Sequence, residues 1–182
     1  MNFRILDSNE KELLESDIIE MLKESDKDFV PPLSQRRSTL DKSFSSLNSS
    51  ESDVVSYYSE MKEQKILAAF DEGEFIGFVS FREDYLSDEI APSELPNIYV
   101  STLVLSRKAR GKGVTKKMYS YLFGELYPNN NVFTRTWSTN VAHTKILDYF
   151  GFTEILRKRD DRGVGIDTVY YKKEKSKAFI GV

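Results

Sequence analysis

The chain has no cysteine, which excludes disulfides, thiolate metal sites and cysteine nucleophiles together. It has one histidine, His143, too few for a histidine metal site and a poor basis for a Ser-His-Asp triad. It lacks a basic excess: 26 Lys and Arg stand against 29 Asp and Glu, a net of −3, so general nucleic-acid binding is not expected. No apolar run approaches the roughly 20 residues that span a bilayer, so no membrane association is expected. The first residues, MNFRILDSNEKELLE, turn polar too early for a secretory signal. These absences together predict a reducing, cytoplasmic setting and no bound metal. What is present is ordinary for a soluble globular protein: 182 residues, 40% hydrophobic and 30% charged, with a mass of 21.0 kDa. That length fits a single domain over 1–182. Its chemistry must come from carboxylates, hydroxyls, lysines, arginines and backbone.

Periodicity gives the order of elements. Asn2 to Leu6 reads as a strand. A helix is predicted over 9–23, with Leu14, Ile18, Met21 and Leu22 on one face, stopped by Phe29-Val30-Pro31-Pro32. Residues 43–52 hold six serines and read as an exposed loop, or as part of a substrate lid, within a helical substrate-side region over 24–64. Asp53 is placed to start a further helix. Ile66–Phe70 and Phe75–Phe81 form a hairpin across Asp71-Glu72-Gly73-Glu74, and Asn97–Leu105 is a third, β-branched strand. Then follow a helix over 113–126, a strand over 132–137, a helix over 141–150 and a closing hairpin, Phe152–Arg157 with Ile166–Tyr171. The order β-α-α-β-β-β-α-β-α-β-β predicts an α/β (α+β) fold: a central mixed sheet with helices on both faces.

One segment stands out. Residues 107–117, RKARGKGVTKK, carry six positive charges and no acid between a strand and a helix. Two glycines let successive amides converge on one point, and the helix start adds free N–H donors and positive dipole. Strand, glycine turn and helix N-terminus together suit a pyrophosphate. Neither GxxxxGK[ST] nor GxGxxG is present. A tight turn on a basic surface remains the plain reading of the geometry alone.

Leu103-Val104-Leu105-Ser106-Arg107-Lys108-Ala109-Arg110-Gly111-Lys112-Gly113-Val114 resembles the acyl-CoA-binding motif of the GNAT acetyltransferases, Gln/Arg-x-x-Gly-x-Gly/Ala after a strand. Arg110 takes its first position and Gly113 its glycine; Thr115 departs from the last small residue. Asn140, followed eleven residues later by Gly151-Phe152, is similar to the family's Asn-helix-Gly-Phe segment. The resemblance covers nearly the whole element order and is most specific over 97–152, the expected acyl-CoA-binding core. It implies a GNAT-type fold, its twisted sheet mostly antiparallel, and acetyl-CoA held between the strands 97–105 and 132–137. Backbone near Leu103, Val104 and Leu105 would pair with the pantetheine arm. Amides from Arg110 through Gly111, Lys112, Gly113, Val114 and Thr115 would hold the pyrophosphate, helped by the Arg110 and Lys112 side chains. A free amine would attack the thioester directly, with a backbone amide of strand 97–105 stabilising the oxyanion, so neither cysteine nor histidine is needed.

Glu83 and Asp84, at the end of the second hairpin strand, are the expected proton acceptors. The family's usual tyrosine acid falls on Leu147, which cannot donate a proton; water, Ser138 or Thr144 are substitutes, or the thiolate leaves unassisted. His143 reads as a partly buried or surface helix histidine, the other reading being a role near the pantetheine or in proton transfer. Residues 84–94 carry four acids and no base. As an acidic rim they would steer a cationic small-molecule or peptide amine. The expected partners are that acceptor and, as an open alternative to a monomer, a second copy of the chain. Two further readings stay open: a non-catalytic acyl-CoA-binding or regulatory module on the same fold, and a nucleotide-phosphate binder of unrelated fold.

Overall fold

The computed structural model describes residues 1–36, 38–39 and 53–175; the serine-rich stretch 43–52 lies outside the described residues. β1 (Asn2–Ile5) hands over to α1 (Ser8–Leu13) at Asp7. The Asp7 carboxylate accepts from Glu10 N at 2.8 Å and the Glu10 carboxylate from Asp7 N at 3.1 Å, a reciprocal cap. The single helix predicted over 9–23 is broken at Leu14 and resumes as α2 (Glu15–Ser25). Each half answers to a different anchor. Lys11 Nζ donates to the carbonyls of Lys62 and Gln64 at 2.8 and 2.7 Å, fixing α1, while α2 follows the core through Ile18, Met21 and Leu22. α3 (Val54–Met61) starts where expected, its cap Asp53 accepting from Ser56 N at 2.7 Å.

β2 (Lys65–Asp71) and β3 (Glu74–Glu83) form the predicted hairpin, with Glu72 and Gly73 both at positive φ in the turn. β4 (Asn97–Leu105), α4 (Val114–Tyr121), β5 (Asn131–Trp137), α5 (Val141–Tyr149), β6 (Thr153–Lys158) and β7 (Thr168–Lys173) complete the order. The helix predicted over 113–126 widens into a π-helical turn over Leu122–Leu126, and Tyr119 is its fully buried tyrosine. The seven strands lie in one sheet, in the order β1-β2-β3-β4-β5-β7-β6. β4 and β5 run parallel and the other neighbours antiparallel.

Helices cover both faces. On one, Val114, Met118 and Tyr119 of α4, Leu122 of the π-helical turn and Leu147 of α5 pack on Val79, Phe81, Ile98, Val100 and Val132. On the other, Ile18, Leu22, Tyr57 and Met61 of α2 and α3 pack on Ile66, Ala68, Phe78 and Val104. Among the described residues no helix is long and apolar enough to cross a membrane.

Two irregularities in β4 position the site. Ser80 pairs with Thr102 but Phe81 pairs with Val100, so Ser101 is the extra residue of a bulge. Pairing with β5 stops at Val100 opposite Thr134, where Thr134 Oγ1 donates to the Val100 carbonyl at 3.0 Å. β4 runs on to Leu105 beside β3, and β5 runs on to Trp137 beside β7. The two parallel strands therefore part, leaving the β5-facing backbone edge of Ser101–Leu105 without a strand partner among the described residues.

Candidate active site

The gap between the parted strands opens into a cleft of about 390 Å³. Its walls come from Val100–Leu105 of β4, Thr134–Trp137 of β5, the starts of α4 and α5, and the segment that follows α2. One end lies at the glycine turn. Gly111 and Gly113 both have φ of +74°, and a Cβ built on either meets nothing within 4 Å. The left-handed backbone explains why glycine stands there, and the open space above it is available to a ligand. Gly113 is the N-cap of α4 and no side chain caps the helix, so the first-turn amides carry no side-chain acceptor. Thr115 is buried and faces the cleft.

Arg110 is used differently from the expected phosphate ligand. Its Nη1 donates to Asp28 at 2.7 Å, its Nη2 to Ser25 Oγ at 2.9 Å and its Nε to the Leu105 carbonyl at 3.2 Å. It braces the end of β4 against the end of α2. The side chains of Val104 and Val114 are buried in the two cores, so only their backbone is offered to a ligand.

Along the cleft, Asn140 caps α5, its Oδ1 accepting from His143 N at 3.2 Å while Nδ2 donates to Thr136 Oγ1 at 3.0 Å. His143, half-buried on the same helix turn, shares a 2.9 Å hydrogen bond with the Tyr119 hydroxyl through Nε2. Burial pushes the histidine down to about 4, and burial also raises the Tyr119 phenol well above its ordinary value. At neutral pH the pair is uncharged. Leu147 is 0% exposed in the core and offers the cleft nothing. The substitutes considered for it are also elsewhere: Thr144 Oγ1 donates to Val141 O at 3.2 Å, and Ser138 Oγ accepts from Asp167 N at 3.0 Å.

The structure does not bring Glu83 or Asp84 to the cleft. Glu83 lies opposite Ile98 and Asp84 N donates to the Asn97 carbonyl, at the paired end of β4 rather than the splayed one. The Glu83 carboxylate accepts from Tyr127 at 2.6 Å and pairs with Lys65 at 2.8 Å. Partial burial pushes it up, but those partners outweigh this and leave it below the usual carboxylate range, a weak base. The acidic rim is also corrected. Glu89 pairs with Lys158 at 2.7 Å, and Glu94 at 2.6 Å shares Lys172 with Glu174, so neighbouring strands offset part of the rim's charge. Among the described residues lining the cleft, the one carboxylate is Asp28, paired with Arg110.

Sequence reasoning missed Ser101, Tyr119, Arg36, Arg135, Trp137 and Arg162, all of which line the cleft. Tyr119 had a signal, since Thr115, Tyr119 and Phe123 repeat at i, i+4 along one helix face. The arginines come from distant segments and carry no local motif. Among the described residues, no group of three or more His, Asp or Glu is placed to hold a metal ion.

A parted parallel strand pair, a glycine turn and a helix N-terminus thus lie along one cleft. The chain belongs to the acetyltransferase (GNAT) family, whose model matches residues 31–152. No curated protein matches it by sequence. Solved structures match it over most of their length. The ribosomal-protein-alanine N-acetyltransferase of Brucella melitensis is 13% identical with a TM-score of 0.66, covering 96% of this chain and 99% of that one. The yncA protein of Salmonella typhimurium, solved with its cofactor acetyl-CoA, is 15% identical with a TM-score of 0.63, covering 100% and 98%. An N-acetyltransferase of Staphylococcus aureus is 14% identical with a TM-score of 0.61, covering 97% and 100%. At such identities these structures show a shared fold. Family membership makes the chain an acetyltransferase, and the fold sets aside the unrelated nucleotide binder.

Proposed function

We propose that the protein transfers an acetyl group from acetyl-CoA to a primary amine. The observation that carries this is the parting of β4 from β5 beyond Val100 and Thr134, in line with the glycine turn at the start of α4. The residues present fit acetyl-CoA. The open cradle over Gly111 and Gly113, the uncapped first turn of α4 and the Thr115 hydroxyl suit its pyrophosphate, with Lys112 adding charge at the surface. The backbone of Leu103 and Val104, beyond the last β4–β5 pairing among the described residues, suits the amides of its pantetheine arm, with Asn140 also lining the cleft. Bound there, acetyl-CoA supplies an acetyl thioester that a free amine attacks directly, forming the amide as the carbon–sulfur bond breaks.

The chain's own groups handle the protons. Tyr119 is the one phenol among the described residues lining the cleft, and it holds its proton at neutral pH. We assign it the proton for the leaving thiolate, the task that Leu147 cannot perform. With Asp28 tied to Arg110 and Glu83 and Asp84 outside the cleft, the acceptor's ammonium loses its proton to solvent. The test is thiol release from acetyl-CoA with and without primary amines. Release that rises with amine supports the reading; release that never exceeds the amine-free rate, from protein shown calorimetrically to bind acetyl-CoA, refutes it.

A further inference from the structure

Five side chains around the β4 bulge form one hydrogen-bonded run. Ser80 Oγ lies 2.8 Å from Ser101 Oγ, and Ser101 Oγ lies 2.5 Å from Gln64 Oε1. Gln64 Nε2 lies 2.7 Å from Thr39 Oγ1, and Thr39 Oγ1 lies 3.3 Å from Glu60 Oε1. The same Glu60 oxygen accepts from Ser38 Oγ at 2.7 Å and faces Arg82 Nη2 at 3.5 Å. Ser80, Gln64 and Thr39 are buried. Ser101, the extra residue of the bulge, and Thr39 both line the cleft.

The carboxylate at one end sets the direction of every proton in the run. A carboxylate only accepts, so Thr39 donates to Glu60. Thr39 therefore accepts from Gln64, which turns its Nε2 to Thr39 and its Oε1 to Ser101. Ser101 donates to that Oε1 rather than to the more distant Ser80 carbonyl at 3.2 Å, and Ser80 Oγ donates to Ser101. Both hydroxyls lining the cleft thus direct their one proton into the protein. A hydroxyl oxygen has two lone pairs, and one on each is taken, by Gln64 on Thr39 and by Ser80 on Ser101. Among the described residues, one accepting position stays open on each. The two oxygens are gripped by the two ends of one carboxamide, so they are fixed as a pair.

We infer that Thr39 Oγ1 and Ser101 Oγ hold the amino group of the acceptor, each accepting one of its N–H bonds. The inference rests on the acetyl-transfer reading and adds the subsite for its amine. Two accepting oxygens take two N–H bonds of a primary amine and leave the nitrogen lone pair for the thioester. A carboxylate or phosphonate, which only accepts, gains nothing from them. The place is also apt. Ser101 is one residue past Val100, the last β4 residue paired with β5, so the amine lies where the strands begin to part. No carboxylate has to touch the amine there: Asp28, the one carboxylate among the described residues lining the cleft, is tied to Arg110. Gln64 and Glu60 are positioning residues, acting by turning the two hydroxyls.

The experiment compares a primary amine with its N,N-dimethyl twin, which has similar basicity and two fewer N–H bonds in either protonation state. Thiol release first selects the best acceptor among butylamine, phenethylamine, cadaverine and amino acid amides. The Kd of that amine and of its twin are then measured by calorimetry on protein loaded with CoA. The expected result is a Kd at least about tenfold weaker for the twin. Thr39→Val keeps the side-chain shape and deletes the acceptor, so there the two should bind within about threefold of each other. Thr39→Ser should restore the difference, and Ser101→Ala repeats the test if Thr39→Val fails to fold. Gln64→Leu and Glu60→Leu should shrink the same ratio, whereas Gln64→Glu, whose carboxylate still accepts from Ser101, should keep it. General loosening of the site would not give that pattern. Equal Kd for amine and twin in the wild type, or a difference that persists in Thr39→Val and Ser101→Ala because it comes from bulk alone, overturns the inference while leaving acetyl transfer intact. No amine-dependent thiol release from any acceptor, with acetyl-CoA bound, overturns both.

Discussion

The Tyr119 hydroxyl and His143 Nε2 meet at 2.9 Å across the junction of α4 and α5, and both line the cleft. Each element brings its partner for a separate structural reason: Tyr119 from the buried face of α4, His143 from the first turn of α5, where Asn140 caps its amide. The contact sets a protonated phenol beside a neutral imidazole in the lining of the cleft.

The first prediction concerns stability and pH. His143 titrates near 4 in the folded chain against an ordinary 6.5, so between these values the unfolded chain binds the extra proton. Stability should therefore fall as pH drops from about 6.5 to about 4, by on the order of 3 kcal/mol at ~1.4 kcal/mol per pKa unit. Denaturant melts of the wild type and His143→Gln across this range check it, and the variant should lose much of that slope.

Tyr119→Phe removes the proposed acid without changing ring packing. Its kcat should fall by about 10²-fold or more, as for a general acid, while acetyl-CoA affinity holds within about threefold. Stopped-flow kinetics with calorimetry separates the two. An unchanged kcat would show that the thiolate leaves without Tyr119.

At Gly113 a valine would force a branched residue into φ of +74° and push its side chain into the open cradle. Acetyl-CoA affinity should drop by at least about 10²-fold in calorimetry, with the far-UV spectrum and cooperative melt retained. The turn is exposed, and no buried apolar contact is lost there.

Glu83→Gln tests the displaced base. Because Glu83 is held by Tyr127 and Lys65 at the paired end of β4, its loss should change kcat/KM by no more than about twofold. The pH profile should follow the acceptor's own ammonium. A loss of about 10²-fold would return Glu83 to the mechanism.

What could be read from sequence was whatever lay close together along the chain. The strand–turn–helix at 97–121, the Asp53 cap and the hairpin at 71–74 each depend on neighbours a few residues apart, and each formed as expected. The break at Leu14 depends on Lys11 reaching Lys62 and Gln64, some fifty residues away, which periodicity does not see. The same limit governed the site. The glycine turn before α4 was legible from spacing, whereas Arg36, Arg135 and Arg162 reach the cleft from distant segments. Charge read by stretches also misled: residues 84–94 look like an acidic rim until Lys158 and Lys172 arrive from β6 and β7.

The central claim, acetyl transfer to an amine in the cleft between β4 and β5, is tested most directly by stoichiometry. Wild type and Gly113→Val are given acetyl-CoA with amine acceptors, and thiol and acetylated amine are quantified together by mass spectrometry. The account predicts one acetylated amine per thiol from the wild type and neither product above background from the variant. Equal product formation by a folded Gly113→Val, or thiol released by the wild type without any acetylated amine, would contradict it.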